Sequence, residues 1–162
     1  MLPATWHDYR VVMSRRSATP VRFEHAVGER LAAYVASHPG SSLSSAANRL
    51  VDEGLRTIEH PGIAFRDGVT GRRAGLVGGP DVWEVVRALR SARVTEPELA
   101  EEDVLGLVAA NSGLPPRLVR TAVRYWASYP DEIDAEIDAA SAAEDAADQA
   151  WQRERQLLAR ER

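Results

Sequence analysis

The stretch TPVRFEHAVGERL, Thr19 to Leu31, constrains the fold of this chain more than any other. Val21 and Phe23 alternate with Pro20, Arg22 and Glu24 in the two-residue period of a half-buried strand. The run is about five residues long, and no second strand-like run comes after it for roughly 35 residues. Strand edges carry N–H and C=O groups that must find partners. The segment is therefore either a loop or a strand whose partner comes from somewhere the local sequence does not show.

The next two segments are helical. Val27, Leu31, Tyr34 and Val35 fall on one face of a helix that stops at SHPG, and a second helix begins behind Ser41 or Ser42 as N-cap. The apolar set of the second helix is Leu43, Ala46, Ala47, Leu50, Val51, Leu55 and Ile58, spaced by three and four. GIAFRDGVTGRRAGLV then offers two short strands, Ile63 to Arg66 and Arg73 to Val77, around a Gly-rich turn.

Strand, helix, helix, with GSSLSSAANRLVDEGL opening the second helix, resembles the ribbon-helix-helix DNA-binding family of Arc- and MetJ-type repressors; the resemblance covers about residues 17 to 56. It implies that the strand pairs antiparallel with the same strand of a second subunit, and that four helices of the dimer share one core. The lone strand would then find its partner in another copy of TPVRF. A unit of about 40 residues, too small to bury a core alone, would be stable only as that dimer. Val21, Phe23, Leu31, Val35 and Leu50 are the residues expected in the shared core.

The resemblance also implies that the ribbon enters the major groove of double-stranded DNA, with Ala18, Pro20 and Arg22 turned toward the bases. Of these, Arg22 is the strong base reader, able to fork onto guanine, and Pro20 removes a strand donor. Ser41 and Ser42 would set free helix N–H groups against phosphates, with Arg15 and Arg16 as a basic arm before the strand.

A second signal lies downstream. GGPDVWEVVRALR reads as a helix capped at Asp81, and TEPELAEEDVLGLVAAN as another with a capping box at Thr95 and Glu98. In SGLPPRLVRTAVRYWASYP, Asn111, Ser112 and Gly113 make a tight turn. The helix after Pro115 then carries Leu118, Val119, Ala122, Val123 and Trp126 on one face and Arg117, Arg120, Thr121 and Arg124 on the other. A Gly turn feeding an Arg-striped helix has the pattern of a helix-turn-helix recognition helix. The order HPGIAFRDG, GRRAGL, DVWEVV, GLPPRLVRTAVRYWASYPDEID also resembles small helix-turn-helix proteins of the antitoxin class, encoded beside PIN-like ribonuclease toxins, over about residues 59 to 137.

Charge is unevenly placed. The net charge is −4, yet residues 1 to 93 carry 13 Arg against 9 acids, whereas residues 131 to 148 hold eight acids and no base. All 20 basic residues are Arg, the side chain suited to bidentate contact with phosphate and guanine. From Asp131, the positions Ile133, Ile137, Ala140, Ala147, Trp151 and Leu158 keep a helical stripe through an Ala-rich acidic segment ending in WQRERQLLARER. A helix with so little to bury packs on a dimer or on a partner. The antitoxin resemblance implies the partner, with Trp151, Arg155, Leu158 and Arg162 as its contacts.

Enzyme chemistry finds no support in the inventory. His7, His25, His38 and His60 lie far apart, cysteine is absent, and LVGGPD lacks the lysine of a phosphate loop. No metal or cofactor is expected. No apolar run approaches the roughly 18 residues of a membrane span, and the N-terminus lacks signal-peptide order, so a cytoplasmic protein is expected.

The chain thus reads as mainly α with short β. Residues 1–16 form a flexible basic arm, 17–58 a ribbon-helix-helix domain with an intersubunit two-stranded ribbon, 59–130 a β-hairpin plus helix-turn-helix domain, and 131–162 an acidic C-terminal helix for a partner. The expected function is sequence-specific repression of an operator by a homodimer or higher homo-oligomer. In that role the chain is the antitoxin of a type II pair that represses its own operon and neutralises a PIN-like ribonuclease toxin. A free-standing regulator without a toxin and a pure protein-interaction module are the alternatives. Residues 1 to 12 fit no element of the family, so a chain starting at Met13 should dimerise as the full chain does, as read by light scattering; a monomeric or unfolded product contradicts this.

Overall fold

The computed structural model describes residues 19–68 and 71–159. Arg15, Arg16, Ala18 and Arg162, and the arm expected over residues 1–16, lie outside them. The described residues form six helices and one two-stranded antiparallel sheet: α1 (His25–Ala36), α2 (Leu43–Glu59), β1 (Ile63–Gly68), β2 (Gly71–Leu76), α3 (Val82–Thr95), α4 (Glu101–Ser112), α5 (Pro116–Ser128) and α6 (Pro130–Leu158). They divide into two compact units, residues up to Asn48 and residues from Arg49 onward, a division that falls inside α2. In the second half of α2, Glu53 and Arg56 bond to β2, α5 and α6.

In the first unit, Thr19–Phe23 pairs with no strand among the described residues, and Val21 and Phe23 are 67% and 41% exposed. Extended backbone at Glu24 leads into α1. The helix ends at Ser37, where the His38 ring stacks on Tyr34 at 3.9 Å and its Nδ1 lies 2.7 Å from the Tyr34 carbonyl. α2 starts behind Ser42, whose hydroxyl accepts the Ser45 N–H at 3.1 Å while the Ser45 hydroxyl accepts the Ser42 N–H at 2.9 Å. Of this unit's described side chains only Leu31 and Ala46 are buried. Val35 and, just beyond the boundary, Leu50 are half-buried.

The second unit has a core of its own. Ile63 and Leu76 come from the hairpin, Val82, Val85 and Val86 from α3, and Leu105 and Val108 from α4. Val119, Ala122 and Tyr125 of α5 and Ile133 and Ile137 of α6 complete it. The hairpin pairs Ile63 with Leu76 and Gly68 with Gly71. A Cβ at Gly75 would lie 2.9 Å from the Arg66 guanidinium, which crosses it to reach Asp81 and would have to move aside. Buried Asp81 accepts Arg66 Nε at 2.7 Å and pairs with Arg73 Nε at 3.2 Å, and its N–H donates to Glu84 at 2.8 Å, so the expected cap also clamps the sheet to α3.

The capping box expected at Thr95 and Glu98 does not form. Thr95 is the last residue of α3, its hydroxyl donating to the Ser91 carbonyl at 3.0 Å, and α4 begins at Glu101. Pro97 disfavours helical backbone at Glu96, where φ is −125° and ψ 68°, and the start moves to the next acidic turn, Glu101 to Asp103.

α6 is not wholly a tail. Its first two turns bury Ile133 and Ile137, and Arg90–Asp134 and Arg87–Glu144, both 2.6 Å, hold it against α3. From Asp145 to Ala159 every residue is exposed. No helix among the described residues is long and apolar enough to cross a membrane, and no group of three or more His, Cys, Asp or Glu there is arranged to hold a metal.

Glu136 carries a stored pH dependence. Burial pushes its carboxyl up to about 7, with Glu132 and Asp81 adding to the shift and Arg73 opposing it, and its Oε2 has no hydrogen-bond partner among the described residues. A raised folded-state value means that the stabilising contribution is whole below the ordinary value of about 4.5 and is lost as pH rises through about 7. Glu136→Gln should therefore raise the melting temperature at pH 8, by roughly 2 to 4 °C per kcal/mol recovered, and leave it nearly unchanged at pH 4.5. A gain of equal size at both pH values contradicts the assignment.

Candidate nucleic-acid interface

Two elements carry the residues suited to DNA. In the first unit, Arg22 is exposed on the extended segment next to exposed Pro20, and Ser42 caps α2 beside half-buried Ser41. The first turn of α2 has no acidic residue. With Ser45's N–H taken by the cap, the exposed first-turn amides of Leu43 and Ser44 sit at the positive end of the helix dipole, where an anion is favoured.

In the second unit, α3, α4 and α5 pack on one another in pairs. Gly113 takes φ of 65° and closes α4, and Pro115 and Pro116 open α5 with the backbone donor already missing where a helix does not need one. Val119 and Ala122 face inward as the pattern predicts, Leu118, Val123 and Trp126 are half-buried, and Tyr125, outside the predicted face, is fully buried. The opposite side departs from a plain Arg stripe. Arg117 is exposed and makes no ion pair among the described residues, whereas Arg120 pairs with Glu102 of α4. Thr121 is buried, its hydroxyl donating to the Arg117 carbonyl at 3.0 Å and accepting Arg124 Nη2 at 3.2 Å. Its methyl stands where a Cβ at Gly62 would meet it at 3.5 Å. Thr121 is therefore a packing residue of the hairpin side, and Arg117 and Arg124 are the cations this helix presents without a carboxylate partner among the described residues.

A second polar system was not foreseen from the sequence. Arg56 Nη1 donates to Glu132 Oε2 at 2.6 Å and to the Tyr125 hydroxyl at 3.0 Å, its Nε pairs with Asp52 at 2.9 Å, and its guanidinium lies 4.1 Å over the Tyr129 ring. Tyr125 donates to Glu132 Oε1 at 3.0 Å, and burial holds its phenol above the usual range. Arg72 Nε meets both Glu53 oxygens at 2.8 Å. These bonds fasten one side of the second half of α2 to the hairpin, α5 and α6. Leu43, Val51, Leu55 and Ile58 lie on the helix's other side, each more than half exposed.

No family model, curated protein or solved structure matches the chain. Its function has to be read from its own residues. Among those expected at a partner surface, Trp151 and Leu158 are 55% and 73% exposed, and Arg155 stacks 4.8 Å over the Trp151 ring. Leu157, which falls off the expected stripe, is exposed as well. The signal that could have found the α2 anchor is local: Asp52 and Arg56 at i, i+4, on the side away from the leucines. Its partners 69 and 76 residues away left no trace in spacing.

Proposed function

We propose that the chain is a dimeric DNA-binding repressor whose first unit is a ribbon-helix-helix fold completed by a second copy. The observation that carries this reading is the inverted dress of α2. Its charged side is docked on its own chain, while Leu43, Val51, Leu55 and Ile58 face water. Residues three, four, seven and eight apart on a helix share a face, so these four form one apolar stripe. Val21 and Phe23 add two more exposed apolar side chains on a segment already extended and unpaired. A second TPVRF strand and a second α2 are the partners of matching chemistry, since a two-fold interface places like against like.

In this reading Arg22 reads bases from the ribbon, Ser41, Ser42 and the α2 amides hold phosphate, and Arg117, Arg120 and Arg124 of α5 form a second, helix-turn-helix contact. The role proposed is that of an antitoxin repressing its own operon, with Trp151, Arg155 and Leu158 on the exposed half of α6 docking on a PIN-like ribonuclease toxin. Free apolar anchors on a helix that extends past its own core support that assignment.

DNA affinity should fall steeply with added salt, as phosphate-borne binding does. On a fragment from upstream of its own reading frame, Arg22→Ala should cost about 1 to 3 kcal/mol and relax discrimination, whereas Ser42→Ala weakens all sequences alike. Unchanged affinity for Arg22→Ala moves the reading to α5. Deleting residues 139–162 should spare DNA binding and abolish rescue of growth when the neighbouring gene product is co-expressed. If the deletion dissolves the oligomer and no neighbouring product is toxic, the chain is a free-standing regulator with an assembly helix.

A further inference from the structure

Helices α3, α4 and α5 leave a groove of about 900 Å³ between them. Its floor is carbon: Val86 and Leu89 from α3, Val104 and Leu105 from α4, Val123 and Trp126 from α5. Its rim is cationic, with Arg90 and Arg93 on the α3 side and Arg120 and Arg124 on the α5 side, against the single carboxylate of Glu101 among the lining residues. Two of the four arginines are neutralised, Arg90 by Asp134 and Arg120 by Glu102. Trp126's indole N–H, with slight burial opposing and Arg90 assisting, holds the Asp134 carboxyl below its usual range, so that neutralisation persists into acid.

The other two are not neutralised. Arg93 donates to the Leu99 carbonyl at 2.6 Å and Arg124 to the Thr121 hydroxyl at 3.2 Å; neither has a carboxylate within ion-pair distance among the described residues. Each guanidinium carries five N–H donors in one plane, so most of its donor capacity stays open, in the fork geometry that takes a carboxylate with two bonds. An apolar trough of this size with a few charged groups at its rim is the common form of a small-molecule site. We infer that the groove binds an amphipathic carboxylate, its hydrocarbon along the floor from Val86 to Trp126 and its head at Arg93 and Arg124. A sugar or nucleotide fits poorly, because its hydroxyls would be desolvated against valine and leucine with nothing to bond. A cation would meet the unneutralised guanidinium groups of Arg93 and Arg124.

The test uses the full chain and two probes of equal chain length, octanoate and neutral 1-octanol, with the Trp126 indole N–H followed by NMR alongside calorimetry. Octanoate should bind saturably, one per chain, and shift the Trp126 signal, and octanol should bind ~10-fold more weakly, a difference of about 1.4 kcal/mol. Arg93→Ala/Arg124→Ala, with an unchanged melting temperature, should bring octanoate down to the octanol level, and Arg93→Lys/Arg124→Lys should recover part of the loss. The inference is overturned if octanoate shows no saturable binding, if octanol binds as tightly, or if the alanine pair binds octanoate like the parent chain.

Discussion

The exposed apolar side of α2 is the constraint on which the rest of the account depends. A helix usually turns its apolar side to its own core, because each large aliphatic side chain gains roughly 1.5 to 3 kcal/mol on full burial. Here Glu53 and Arg56 occupy the side facing the chain, and their bonds to Arg72, Tyr125 and Glu132 fix the helix so that it cannot roll to cover Leu43, Val51, Leu55 and Ile58. Removing Arg56 would leave Glu132 and Tyr125 without their cation. Rotation is thus opposed by charges, and the stripe stays exposed in the single chain.

The two units differ in what they need. The second closes a core between hairpin and four helices, with Tyr125 and Ile133 fully buried and Asp81 tying strand to helix. In the first, Leu31 and Ala46 are the buried side chains among the described residues, little apolar area removed from water against the ordering of some thirty residues. In the dimer proposed above, a second copy would supply what is missing at no cost in new sequence. Arg120 and Arg124 meanwhile serve two surfaces at once, the outer side of α5 and the rim of the groove beside it. Charge added to one is felt at the other.

Local features of the fold were legible in the sequence, and distant ones were not. The hairpin over residues 63–76, the caps at Ser42 and Asp81 and the inward face of α5 follow from turn chemistry and periodicity within a dozen residues. The start of α4 was misplaced because a capping pattern at Thr95 competes with Pro97, and the proline prevails. The α5 stripe looked uniform because helical spacing cannot tell a solvated arginine from one paired with Glu102, or an exposed threonine from one buried beside Gly62. The Arg56 network and the Arg93–Arg124 rim join residues brought together only by tertiary packing, and no periodicity encodes them.

The most direct test of the central claim is the molar mass of the full chain in solution, by sedimentation equilibrium, for the parent and for Leu55→Glu. Leu55 is exposed, so a glutamate there leaves an isolated chain's interior untouched. The account predicts a parent mass twice the 17.8 kDa of one chain, with a concentration-dependent melting transition, and a monomer for Leu55→Glu. A parent that stays monomeric at all concentrations with a fully protected first unit, or a Leu55→Glu dimer as tight as the parent's, would contradict it.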